Sequence, residues 1–243
     1  MKLKTIFFCL ISFAFSQLVY AQLDSIEYNL WEQIHDFKIK KNTYIFKTWD
    51  GAIIEKDTLL FDVNLFFSNY PANYTPDYVD SVQFVIASRT LKKSYGERIL
   101  HTKQNSYIRI CWLKETFPII IKFEELNNER INFFLKVGSG NYERHGHLVY
   151  DTTFHLSARK SKKIKKLIKS ESYFNLVNGV TCSNGIHLPN VFFFEFSDGE
   201  GRNMIVINEC NLSSSDYEHV FKLYVIAKAI IKKQKLFPEY FLD

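Results

Sequence analysis

The chain is broken into apolar or β-branched runs of strand length, and this constrains the fold more than any motif does. Runs at 43–49 and 52–55 flank Asp50-Gly51, a dipeptide that favours a hairpin turn. Further runs lie at 58–67, 81–87, 107–113, 119–123 and 131–137. Turn chemistry separates some of them, as at Asn69-Tyr70-Pro71 and Asn127-Asn128. A short helix fits residues 24–36, where Ile26, Leu30 and Ile34 recur every fourth position. Many short strands and few helical stretches predict a mainly antiparallel sheet or sandwich from about residue 40 to 140.

Gly138-Ser139-Gly140-Asn141 is the best internal boundary, and beyond it the order of elements changes. Residues 148–156 read as a strand. Ser157 is placed to cap a helix running to about Ser170, with Ile164, Leu167 and Ile168 as its apolar stripe. Residues 191–196 and 203–208 form a hairpin across Ser197-Asp198-Gly199-Glu200-Gly201. Ser215 and Glu218 have capping-box spacing and open a last helix to about Lys233, with Val220, Phe221, Tyr224, Ala227 and Ile231 as its core stripe. The expected class is α+β. A mainly antiparallel β region over 22–140 precedes a two-layer β-α-β-β-α region over 141–243, and the two are free to pack as one domain.

Phe154-His155-Leu156-Ser157, Phe174, Gly185, Phe192-Phe193-Phe194-Glu195, Asp198-Gly199 and the strand from Met204 to Ile207 follow a recurring order. On these residues the region 148–235 resembles the C-terminal β-α-β-β-α module of uncharacterised exported bacterial proteins. The chain departs from that pattern in carrying Asn184 where an Asp often precedes the first turn glycine. The resemblance implies a fold and no activity.

Residues 1–21 read as a secretory signal peptide. Lys2 and Lys4 form a positive start, an apolar stretch follows from Ile6 to Leu18, and Ala21 ends a cleavage site before Gln22. The apolar stretch is shorter than the ~20 residues a membrane span needs, and no later segment is long and apolar enough. The expected location is therefore the periplasm or the extracellular space, with no stable membrane insertion after cleavage. Past the leader, charges balance over 22–140, and the positive excess lies wholly in 141–243. That excess is too mild to predict a nucleic-acid partner.

Three cysteines follow the leader. Cys111 sits within a strand-like run and reads as a small buried apolar group. Cys182 and Cys210 flank the second-half hairpin, and an oxidising compartment lets them pair; the alternative is two unrelated buried thiols.

Candidate chemistry is sparse. In an extended stretch His145, His147, Val149, Asp151, Thr153 and His155 share one face. His145 and His147 can approach one metal, but Asp151 lies roughly 13 Å beyond His147 along a strand, so a zinc site needs ligands from elsewhere. The plainer reading is a solvent face. Ser157 and Lys160 match Ser-x-x-Lys, the nucleophile element of penicillin-recognising enzymes. Its companions Ser-Asp-Asn and Lys-Thr-Gly are absent, which leaves a helix cap. Glu195, Asp198 and Glu200 crowd one turn without the ligand spacing of a calcium loop.

The predicted 158–170 helix is strongly basic, and Arg159, Lys162, Lys163 and Lys166 fall on its outer side. Such a face suits an acidic partner or an anionic surface, or is simply solvated. The sequence calls for no cofactor. It favours an exported, non-enzymatic binding protein, one form being an immunity-type inhibitor that caps a toxin and so has another protein as partner. The alternative is a metal-dependent or serine hydrolase acting on cell-envelope material through His145, His147 or Ser157.

Overall fold

The structure, a computed structural model, describes residues 36–48, 50–69, 78–98, 106–114, 118–126, 130–139, 147–168, 173, 175–179, 190–212 and 214–234. Residues 1–21, read as a leader, and almost all of the predicted 24–36 helix lie outside the described residues. Asp36, at its end, opens a strand instead.

Among the described residues, nine strands form two antiparallel sheets. The smaller has β1 (Asp36–Lys40), β2 (Thr43–Lys47) and β3 (Ile53–Thr58) in the order β1-β2-β3. The larger has β4 (Tyr107–Lys114), β5 (Ile119–Leu126), β6 (Arg130–Ser139), β7 (His147–His155), β8 (Asn190–Ser197) and β9 (Arg202–Asn208). Its order is β7-β6-β5-β4-β8-β9. Strands from both sides of Gly138–Asn141 thus share one sheet: β6 pairs with β7 across that stretch, and β4 pairs with β8. The class is α+β with a mainly β first part.

Two of the predicted strands are helices. The run at 58–67 ends its strand at Thr58 and turns at Leu59–Phe61. It then forms α1 (Val63–Ser68), where Asp62 caps by accepting from Asn64 N (2.9 Å) and Leu65 N (3.4 Å). The run at 81–87 lies inside α2 (Tyr78–Lys93). Its β-rich composition misleads because this helix is enclosed on most sides. Phe84, Val85, Ala87, Ser88, Arg89, Thr90 and Leu91 are all buried, so it shows little of the polar face that identifies a surface helix.

Of the remaining helices, α3 (Ala158–Ile168) and α5 (Glu218–Gln234) match the sequence reading, although α5 starts at Glu218 after a 3-10 turn at Ser215–Tyr217. The short α4 (Glu209–Leu212) has no counterpart in that reading. Ser157 directly precedes α3, and its carbonyl accepts the first helical bond from Ser161 N at 2.9 Å. No helix among the described residues is long and apolar enough to cross a membrane.

The large sheet is buried on both faces, which explains why its central strands read as nearly continuous apolar runs. On one face Trp112, Ile121, Phe133, Phe194 and Ile207 pack beneath α3 and α5. Trp112 stacks on Phe192 at 5.1 Å and meets Tyr224 of α5 edge-on at 5.3 Å. On the other face Cys111, Leu113, Ile120, Phe193 and Val206 share a core with α1, α2 and Tyr44 and Phe46 of β2. Phe61 stacks on Phe193 at 5.3 Å there.

The β9 edge is sealed. Gly179 bonds Val206 and Asn208 through its backbone, while buried Asn178 accepts from Val206 N (2.8 Å) and donates to Phe66 O (3.0 Å). Sealing an edge removes a template for aggregation.

Candidate binding surface

The basic helix lies against the sheet by a narrow stripe. Ser161, Ile164 and Ile168 are its buried residues, and Leu167 packs partly against the same core. Ser161 is an unforeseen fastener. Its Oγ accepts from Ile131 N (3.1 Å) and donates to Leu156 O (3.3 Å), tying the helix to the ends of β6 and β7. This anchoring fixes which side of α3 faces outward. Arg159, Lys162, Lys163 and Lys166 are exposed on that side, as the sequence placed them. Lys165, on the flank, pairs with Glu125 of β5 at 2.9 Å. The helix has no acidic residue.

Helix α5 lies on the same sheet face and corrects one sequence expectation. Val220, Tyr224, Ala227 and Ile231 are buried as expected, but Phe221 is 38% exposed and Val225, four residues on, is 45% exposed. Leu223 and Ile230 take the core positions instead. At 100° per residue, Phe221 falls at the edge of the apolar arc, and the curvature of the packed face decides its side. Lys222 and Lys233 are exposed on this outer arc too, and Glu218 pairs with Lys222 at 2.6 Å.

The histidine face resolves differently. His147, Val149, Asp151, Thr153 and His155 do share one side of β7, and all five are exposed. His145 lies outside the described residues. No group of three or more metal-ligating side chains is found among the described residues. Ser157 is exposed and Lys160 half-buried at the start of α3.

The three carboxylates of the β8–β9 turn separate. Asp198 holds the turn, accepting from Gly201 N (2.7 Å) and Glu200 N (2.9 Å), and these bonds keep its carboxyl below the usual range. Gly199 takes a left-handed φ of 96° beside it. Glu200 is exposed. Glu195 points into the protein, where it pairs with both Arg109 and Arg202.

That buried cluster is the feature the sequence reading missed. Arg109 is fully enclosed, and Glu195 is 1% exposed. Arg109 Nη1 also reaches Glu97 Oε2 (3.2 Å) and Arg98 O (2.9 Å), and Lys136 Nζ meets Glu97 Oε1 at 2.9 Å. Burial alone would lower the Arg109 pKa, but Glu195 and Glu97 outweigh it and hold the guanidinium charged. The signal available was a lone Arg in the apolar run of β4 and a lone Glu in that of β8, which sit opposite each other in register. The cluster's charges face one another, so it serves the core.

Cys111 is a free, fully buried thiol whose pKa is pushed up by burial, an inert position. Cys182 lies outside the described residues, so the expected bridge to Cys210 is outside them too. Neither the family models nor the curated proteins contain a match to this chain.

Proposed function

We propose that this chain is an exported, non-enzymatic binding protein of the bacterial envelope, and that the outer face of α3 is where it meets an anionic partner. One observation carries the reading. Arg159, Lys162, Lys163 and Lys166 stand together on a rigidly fastened helix, exposed, with no ion pair to any described residue. By contrast, the buried ionic groups are consumed in pairs within the fold. An inhibitor that caps an acidic toxin is the protein form of this reading.

Retention on envelope fractions tests it. The native chain and a Lys162→Glu/Lys166→Glu variant are compared for binding to soluble and membrane extracts at low salt. Retention that falls at least tenfold in the variant, with its thermal midpoint unchanged, supports the reading; equal retention removes it. Metal analysis of the purified protein runs alongside. Stoichiometric zinc that disappears on His147→Ala moves the protein to the hydrolase class.

A further inference from the structure

We infer that the anionic partner is a lipid bilayer surface, and that the chain docks on it with the outer faces of α3 and α5 together. The inference rests on the reading that the α3 face meets an anionic partner, and it names that partner.

Three observations converge. The two helices lie on the same face of the large sheet, and each buries one arc against it. Their exposed arcs therefore both look off the sheet, and the two helices touch, so that among the described residues they form one outer layer. The charge of that layer is one-sided: α3 offers Arg159, Lys162, Lys163 and Lys166, α5 adds Lys222 and Lys233, and the one exposed carboxylate of the two helices is Glu218. α5 also carries an exposed apolar element, the Phe221 ring and the Val225 side chain one turn apart.

Lysine and apolar groups sharing an exposed helical layer fit an interfacial membrane site: cations reach the phosphates while aromatic and aliphatic groups enter the headgroup boundary. Protein interfaces select against lysine and favour arginine, and here the cations are lysines apart from Arg159. Lysine, a strongly hydrated point charge, suits an array of lipid phosphates that demands no fixed geometry. Near an anionic membrane each such cation contributes about fivefold in affinity. Several acting together give usable binding without a pocket.

Vesicle flotation tests this. The full chain is mixed with vesicles of phosphatidylcholine alone and with vesicles containing about a third phosphatidylglycerol, at low and high salt, since exposed charge attraction is screened by salt. The native protein is expected to float with the anionic vesicles only, and to release as salt rises. Lys162→Ala/Lys166→Ala is expected to weaken binding about 25-fold, two steps of fivefold. Phe221→Ser is expected to weaken it severalfold. Lys56→Ala, exposed on β3 of the small sheet, is expected to change nothing. No flotation with anionic vesicles, equal flotation with neutral ones, or an unaltered Lys162→Ala/Lys166→Ala variant overturns the inference. If vesicles are ignored while an acidic protein is retained through Lys162 and Lys166, the lipid assignment falls and the binding reading stands. If those lysines matter to neither, both fall.

Discussion

Arg109 and Glu195 show how a single side chain commits its neighbours. A fully buried guanidinium is tolerable only with its carboxylates in place, because removing one partner leaves an uncompensated charge. Glu195→Gln is therefore expected to cost about 3–5 kcal/mol, read from urea unfolding midpoints. The double replacement Arg109→Met/Glu195→Leu is expected to recover much of that loss, since apolar side chains in such sites are often neutral. Glu55 behaves differently, lying half-buried between Arg89 (3.0 Å) and Lys93 (2.7 Å). Burial pushes its carboxyl up, but those two cations, with Tyr44, outweigh it and leave it below the usual range. The folded state then holds fewer protons than the unfolded chain in acid. The Glu55 contribution is present above the unfolded value of about 4.3 and is lost as pH falls through the lower folded value. Thermal melts between pH 6 and 3 should show a steeper acid loss for the native chain than for Glu55→Gln.

At the level of elements, two contacts carry more than their size suggests. Ser161 is the polar fastener between α3 and the ends of β6 and β7. Ser161→Ala strands the Ile131 amide and is expected to cost about 1–3 kcal/mol in denaturant unfolding. The same variant should leave the outer lysines exposed, so any weakening of binding would report lost helix rigidity. Gly138 sits at the bulge where β6 shifts register against β7, directly over Tyr95. A Cβ there would fall 2.2 Å from Tyr95 Cε1. Gly138→Ala must move a fully buried ring, and a loss of about 1–3 kcal/mol is expected in the same measurement. The glycine that read as a boundary in the sequence is thus also a packing requirement.

Across the whole molecule, the cysteines divide by burial. Cys111 is sealed in the core, whereas Cys210 is exposed. Pairing of Cys182 with Cys210 is expected to add about 3–4 kcal/mol by constraining the unfolded chain. Thiol titration of the chain lacking residues 1–21 should find one reactive cysteine, Cys111, and only after denaturation without reductant; two or more would refute the pairing. Much of this architecture was legible in the chain. The strands β4, β5 and β6, the β8–β9 hairpin, and the α3 and α5 helices all follow from local periodicity and turn residues, because those signals need no distant partner. Which side of each element becomes buried was only partly legible. The 81–87 run reads as a strand yet folds as helix, because burying Phe84, Val85 and Ala87 in the core between the sheets overrides local preference. Phe221 reads as core and lies outside, while Glu195 reads as a turn carboxylate and lies inside opposite Arg109. Local order is set by neighbours a few residues away, whereas burial is set by segments that meet only after the sheet has closed.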